Sequence, residues 1–257
     1  MSESRVVRRA PETMAGLGKG LAVIEAFGPE RPRMTVADAA RASGTTRAAA
    51  RRCLLTLEQL GYLTHDGRYF APTPRMLCLG AAFLETSALP RLAQPYLESA
   101  RDELTESVSL AVLEGDRSVF VARAETQRIV TTGVRLGARL PAPASATGRV
   151  MLAAVPDEAL DAILLGVRLH TTTPRTVVDV TQIRQRIVTA RSTGVAYTDE
   201  ELELGMRSMA VPVRDGRGRT VAAMSVSAFT ARVSLDELRD RFLPVLRGYA
   251  QRLGQLL

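Results

Sequence analysis

Lysine is nearly missing from this chain of 257 residues: Lys19 stands alone against 33 arginines. Cysteine and histidine are almost as scarce, with two of each. Cys53 and Cys78 lie far apart and neither has a second cysteine nearby, which excludes a disulfide framework and a cysteine-rich zinc site. They read as buried, reduced thiols of a cytoplasmic protein. His65 and His170 are the only imidazoles, and no HExxH, CxxC, Gly-x-Ser-x-Gly or phosphate-binding glycine loop occurs. The cluster Asp199-Glu200-Glu201 with Glu203 is all that remains for acid/base or metal chemistry. It is expected instead to cap a helix and shape a pocket rim. No enzyme activity, metal or cofactor is expected. No stretch approaches the uninterrupted apolar length of a membrane span, and the opening MSESRVVRRAPE lacks the apolar core of a secretion signal. Residues 1–13 read as a disordered arm whose Arg5, Arg8 and Arg9 are available for phosphate contacts.

What is abundant is positive charge, and it is unevenly placed. The formal net charge is +7 and the pI about 10.2. Up to Arg75 there are twelve basic and seven acidic residues, a net +5, leaving 22 against 20, or +2, for the rest. Such a balance favours a polyanionic partner for the N-terminal part. The length suggests two domains.

The region from Thr35 to Tyr69 carries the clearest pattern. Thr35, with Asp38 three positions on, forms a capping-box signature before a short helix over about 36–42. Gly44 stops that helix, and Thr45 or Thr46 caps the next. There Ala50, Cys53, Leu54, Leu57 and Leu60 recur at three- and four-residue steps as a buried stripe. Arg47, Arg51 and Arg52 fall in its first two turns, away from the leucines. A helix-turn-helix needs this division: the start of the second helix meets base edges while its other side packs inward. Arginine's planar fork suits guanine O6/N7 and phosphate oxygens alike. An arginine-rich outer face is also what a merely solvated helix shows in a chain this biased toward arginine. Two short β-like runs around His65-Asp66-Gly67 follow, and Asp-Gly is a strong hairpin signal. They form a wing that places Arg68 and Tyr69 near a DNA backbone. An earlier helix over 17–27 would complete a three-helix core with Leu21, Ile24 and Phe27 inward.

Beyond Pro72 and Pro74 the pattern predicts a mostly apolar linker helix suited to packing on a partner chain, then a helix over 92–105. Strands are predicted for SLAVLEG, SVFVARAE and RIVTTGV, helices over 148–154, 157–165 and 180–193, and a late hairpin of 207–213 and 220–227. A long helix over 234–256 ends the chain. The fold class expected is α+β: an N-terminal winged helix-turn-helix, a linker helix and a C-terminal GAF-like effector domain with an antiparallel sheet. The boundaries are 1–13 for the arm, 14–73 for the DNA-binding domain, 74–89 for the linker and 90–257 for the effector and oligomerisation domain.

Several segments in order carry a family resemblance: GLGKGLAVIEAF, TLEQLGYL, YFAPTPRMLCLG, LGARLPAPASATGRVMLA, STGVAYTDEELELGMRSMAVPVRD and TVAAMSVSAFTARVS. The chain resembles the IclR family of bacterial transcriptional regulators from about Met14 to Leu257. RLPAPASATGRVMLA and DEELELGMRSMAVPV look closest to the branch governing breakdown of protocatechuate, 4-hydroxybenzoate and related aromatic acids. The resemblance implies a dimer or tetramer that binds operator DNA through Thr35, Thr45, Thr46, Arg47, Arg51, Arg52, Arg68 and Tyr69. It also implies a small organic acid effector near Arg123, Ser145, Thr147, Gly148, Arg149, Met151, Ser208, Ser225 and Ser227. Arg123 would pair a ligand carboxylate, and a helix starting at Gly148 would point N–H groups at the anion. Ala48, Ala49 and Ala50 depart from the larger or hydroxyl residues many members carry, so an operator sequence does not transfer. The function expected is a ligand-responsive transcriptional regulator of aromatic-compound catabolism. The alternative is a small-molecule sensor whose helix-turn-helix mediates protein pairing.

Overall fold

The computed structural model describes residues 13–126 and 134–257, which divide into a unit ending at Phe83 and one running from Leu84 to Leu257. The predicted strand RIVTTGV and the predicted N-terminal arm, apart from Thr13 and Val134, lie outside the described residues.

The first unit contains α1 (Ala15–Glu25), α2 (Val36–Ala42), α3 (Arg47–Gln59) and a hairpin of β1 (Leu63–His65) and β2 (Phe70–Pro72). Thr35 caps α2 through the reciprocal box: its Oγ accepts the Asp38 N–H at 3.3 Å, and Asp38 Oδ2 accepts the Thr35 N–H at 3.1 Å. Gly44, at φ +64, takes the left-handed conformation that ends α2, and Thr46 rather than Thr45 caps α3. The core is Val23, Met34, Ala39, Ala50, Leu54, Leu57, Leu63 and Phe70, with Ile24 and Phe27 partly buried around it. Two sequence expectations fail here. Leu21 is 47% exposed, because the inward stripe of α1 runs through Val23 and Ala26, a turn that leaves Leu21 outside. Leu60 is the C-cap residue of α3 and is exposed, since the leucine stripe ends with the helix. The wing turn is Asp66 to Tyr69, with Gly67 at φ +95.

After a 3₁₀ turn at Pro74–Met76 comes α4 (Leu77–Thr86). Its Leu77, Leu79, Phe83 and Leu84 are exposed, and so is Cys78, which corrects the expectation of a buried thiol. Among the described residues these apolar side chains of the helix stay exposed, and its cysteine with them.

The second unit adds α5 (Ala88–Leu104), β3 (Ser107–Glu114), β4 (Arg117–Ala124), β5 (Arg139–Pro141), α6 (Ala146–Leu152), α7 (Asp157–Gly166), α8 (Val180–Thr193), β6 (Ala196–Asp199), β7 (Met206–Arg214) and β8 (Thr220–Phe229). A short turn α9 (Leu235–Glu237), a π-helical turn at Leu238–Phe242 and α10 (Leu243–Gly254) end it. Pro90 is accepted because it sits in the first turn of α5, where an N–H has no helical partner anyway. The π turn breaks the long C-terminal helix that the sequence predicts as continuous. Pro244, just beyond it, brings no N–H and crowds the preceding turn, and a wider turn relieves both. The strands form one antiparallel sheet in the order β5-β4-β3-β8-β7-β6. On one face Leu97, Leu104, Leu246 and Leu253 of α5 and α10 pack on Leu110, Met209, Met224 and Val226. On the other, Val150, Leu152, Ile183 and Ile187 of α6 and α8 pack on Ala111, Phe120, Ala210 and Ala223. Neither β5 nor β6 is visible in the sequence pattern.

Candidate functional site

The reading helix α3 places Arg47, Arg51 and Arg52 on its exposed side, four-residue spacing keeping Arg47 and Arg51 on one face. Ala49 and Ala50 point into the core and only Ala48 is exposed, so the alanine run leaves the arginines unobstructed. No acid occupies the first turn of α3, in contrast to α2 with Asp38. A cation at a helix N-terminus runs against the macrodipole. An external anion such as a DNA phosphate removes that penalty. Among the described residues of this unit, Arg41 is the single arginine in an ion pair, whereas many arginines of the second unit pair with carboxylates. Among the described residues, the exposed cations around α3 and the wing form no ion pair with a carboxylate, which separates them from a coding bias in favour of arginine.

The wing adds a residue that sequence reasoning missed. The Tyr69 ring lies 4.4 Å from the Arg33 guanidinium and 5.1 Å from that of Arg68. Arg33 comes from the loop before α2, brought in because Met34 bridges Phe70. Nothing in the local sequence marks that pairing. The Asp66 carboxylate accepts the Tyr69 N–H at 2.7 Å and the Arg68 N–H at 2.9 Å, and these bonds hold its pKa below the usual 3.8. Thr35 and Thr45 face their own turn: Thr45 Oγ lies 2.9 Å from Ser43 Oγ.

The second site is a cavity between the sheet and α6. Sheet register aligns Ser107, Ser227, Ser208 and Thr198 on one rung and Arg123, Ser109 and Ser225 on the next. Strand alternation turns these polar residues to the α6 face, while Val108, Val226 and Met209 between them enter the opposite core. Ser145, Thr147, Ser208, Ser225 and Ser227 line the cavity together with Phe120, Leu140, Thr198, Leu202, Glu203 and Met206. Thr198, Phe120 and Leu202 were not singled out from the sequence, whereas Glu203 lies in the lining as the expected pocket-rim acid. The repeated Ser-Val-Ser at 107–109 and 225–227 is the signal that finds the polar face. Ser208 and Ser227 Oγ atoms lie 2.8 Å apart, and Thr147 Oγ is 2.7 Å from Ser118 Oγ. The free volume is about 70 Å³, far below the roughly 300–1,000 Å³ of sites that hold drug-sized ligands.

Arg123 lies in register with Ser109 on the serine face but is not among the residues that line the cavity. Its Nη1 donates to Ser109 Oγ at 2.9 Å and its Nε to Glu125 at 2.8 Å, with the side chain only 5% exposed. Four expectations change. The helix begins at Ala146, not Gly148, and the Gly148 N–H is taken by Ser145 Oγ at 3.0 Å, so it offers nothing to an anion. Gly148 has a packing reason: a Cβ there would overlap the Ala142 backbone. Met151 is buried in the core beside the cavity without lining it. Arg149 turns away from the serines altogether. Its Nε donates to the Pro143 carbonyl at 2.8 Å and its Nη2 to Glu201 Oε2 at 2.6 Å. The acidic cluster caps no helix: Glu200, at φ +56, and Gly205, at φ +79, turn the chain from β6 back into β7. Asp199 pairs with Arg175 and Arg207, and only Glu203 of the four reaches the cavity.

Among the described residues no cluster of three or more His, Cys, Asp or Glu is placed to hold a metal, and no single helix is long and apolar enough to cross a membrane.

Two family models match in succession: the IclR helix-turn-helix domain over residues 16–67 and the bacterial transcriptional regulator IclR C-terminal domain over 81–255. The Pca regulon regulatory protein of Pseudomonas putida is 41% identical over 237 residues, covering 92% of this chain and 81% of that protein. The p-hydroxybenzoate hydroxylase transcriptional activator of Acinetobacter baylyi is 37% identical over 254 residues, covering 97% and 94%. Among solved structures, a double mutant of the PobR inducer-binding domain from Acinetobacter, in complex with 3-hydroxybenzoic acid, is 32% identical. It superposes with a TM-score of 0.63 over 66% of this chain and 100% of its own. A chain with α3 as its reading helix, a serine-faced sheet behind it in sequence, and both family domains in order belongs to the IclR family of bacterial transcriptional regulators.

Proposed function

We propose that this regulator binds operator DNA through α3 and the wing and releases or remodels that contact when a hydroxybenzoate-type acid fills the serine-lined cavity. The observation that carries the effector half is the register that sets Arg123 on the rung beside Ser107, Ser208 and Ser227. One guanidinium for a carboxylate and a row of hydroxyls for a ring substituent is the chemistry an aromatic hydroxy acid needs. Phe120 and Leu140 supply the apolar wall, and Met206 is the pliable side chain that gives way to a ring. Relatives named for the Pca regulon and for p-hydroxybenzoate hydroxylase support the same ligand class.

The DNA half rests on Arg47, Arg51, Arg52 and Arg68, with Thr46 capping the helix and Tyr69 stacked under Arg33. Two copies are needed to read two half-sites about one helical turn apart. The exposed Leu17 and Leu21 of α1 and Leu77, Leu79 and Phe83 of α4 supply apolar surface for pairing in a dimer or tetramer. The protein acts in the cytoplasm, where its DNA and its acid meet. For the acid to act it must favour one arrangement of the pair over the other; a tenfold preference supplies about 1.4 kcal/mol.

A gel shift with DNA flanking its own gene, titrated with 3- and 4-hydroxybenzoate, tests both halves. The expected result is a retarded complex whose midpoint moves with the acid. A complex that forms but ignores every aromatic acid would remove the effector assignment, and no complex at all would remove the DNA assignment.

A further inference from the structure

At the β6 edge of the sheet, a cleft of about 470 Å³ opens between α8 and the C-terminal helical segment. Its floor is Val195, Tyr197 and Leu243, and its walls carry Arg186 on one side and Arg239 and Arg247 on the other. No carboxylate is among the lining residues. Two of the three cations, Arg239 and Arg247, are weakly committed. Arg247 donates to the Thr193 carbonyl and pairs with no carboxylate among the described residues. Arg239 holds only Asp236, in a pair open to water on both sides. Arg186 shares Glu201 with Arg149. The Tyr197 hydroxyl makes no hydrogen bond among the described residues. Burial raises its pKa, Arg239 and Arg247 draw it back, and Asp240 adds to the rise, so it stays a protonated donor at neutral pH.

Arg239 and Arg247 leave net positive charge at the opening opposite Arg186, and an entering anion is drawn to it. An inorganic anion would leave the apolar floor uncovered. A short carbon chain with a carboxylate at each end covers the floor and meets a cationic wall on both sides. We propose that this cleft is a second small-molecule site, taking a short-chain dicarboxylate with one carboxylate toward Arg186 and the other between Arg239 and Arg247.

Its place in the fold makes it regulatory. Tyr197 faces the cleft and its neighbour Thr198 faces the serine-lined cavity, as strand alternation requires. Glu201, gripped by Arg149 and Arg186, immediately precedes Leu202 and Glu203 of the cavity lining. A carboxylate that draws on Arg186 therefore acts on the residue that holds the cavity rim.

Isothermal titration of the full chain with succinate and glutarate tests the site, with and without saturating 4-hydroxybenzoate. One dicarboxylate per protomer is expected, undisplaced by the aromatic acid, with affinity falling at least about tenfold in the double variant Arg239→Gln/Arg247→Gln. That variant should keep wild-type 4-hydroxybenzoate affinity, which also shows that it folds. No heat with either probe up to about 10 mM, equal binding by the double variant, sulfate binding as tightly, or displacement by 4-hydroxybenzoate would each overturn the proposal. Should 4-hydroxybenzoate itself fail to bind, the dicarboxylate titration and circular dichroism of the variant still decide the matter.

Discussion

Arg149 and Glu201 form a fork-to-fork pair inside the second unit, Nη2 to Oε2 at 2.6 Å and Nη1 to Oε1 at 3.2 Å, with side chains 1% and 5% exposed. The remaining donors of Arg149 reach the carbonyls of Pro143 and Tyr197, so one side chain ties the approach to α6 to the end of β6. These are the two segments that carry Ser145 and Thr198 into the serine-lined cavity. Arg149 thus shapes the cavity from behind.

Removing Glu201 leaves Arg149 buried without a counter-charge, which costs about 3–5 kcal/mol, whereas removing Arg149 leaves Glu201 still paired with Arg186. Glu201→Leu should therefore lower the urea midpoint more than Arg149→Met does. The double variant Arg149→Met/Glu201→Leu should recover much of that loss, because no uncompensated charge stays behind. Equal losses in Glu201→Leu and the double variant would contradict this account.

Arg47→Ala/Arg51→Ala should abolish specific operator binding while leaving hydroxybenzoate affinity at the wild-type value. Arg52→Ala should instead weaken all DNA sequences alike. It should reduce the slope of log affinity against log salt by about one unit if it meets a phosphate. Filter binding across a salt series separates these behaviours.

On the proposed reading, Arg123→Gln, a change beside the cavity lining, should weaken hydroxybenzoate binding by roughly 10- to 100-fold, the loss of a charge-assisted bond of about 1.5–3 kcal/mol. Ser225→Ala, which removes one neutral hydroxyl, should change it by no more than about tenfold. A series of benzoates lacking the ring hydroxyl, measured by calorimetry, would show which serine loses its effect together with that hydroxyl.

Gly148→Ala should be among the most damaging single changes, since its Cβ would overlap backbone atoms of Ala142 that have no rotamer to yield. Overpacking of this kind costs about 1–3 kcal/mol or more. Gly80→Ala in α4, where a Cβ meets nothing, is the matched control and should be neutral or mildly stabilising in thermal melts.

The wing should respond to acid in a defined direction. Hydrogen bonds from Tyr69 and Arg68 hold Asp66 below its usual 3.8. Its contribution is therefore complete above the unfolded-state pKa and is lost as pH falls through the lowered folded-state value, in the window beneath about 4. Hydrogen exchange at the Arg68 and Tyr69 amides should accelerate only in that window. Asp66→Ala should expose them at every pH and weaken DNA binding.

The reading head was legible because its signals are local. A capping box, a left-handed glycine, a leucine stripe and an Asp-Gly turn each act within four or five residues. Leu21 and Leu60 mislead because helix ends and phase are decided by what packs against them, beyond the reach of periodicity. The effector cavity is legible only in part. Ser-Val-Ser in β3 and β8 marks one polar face, but Thr198 joins it through β6, a four-residue edge strand with no strong pattern. Arg149 illustrates the limit best. Sequence places it next to Ser145 and Thr147 on α6, yet its helical position turns it to a carboxylate 52 residues away.

A cavity of about 70 Å³ also has a kinetic meaning. On the proposed reading, an aromatic acid needs more room than this, so binding is expected to wait for a wider form of the cavity lined by Leu202, Glu203 and Met206. The observed dissociation constant is then the intrinsic one divided by the fraction of molecules open. Association rates measured by stopped flow should level off at high ligand at the rate of opening. Substitutions that trim Met206 should quicken the response of the regulator before they change what it recognises.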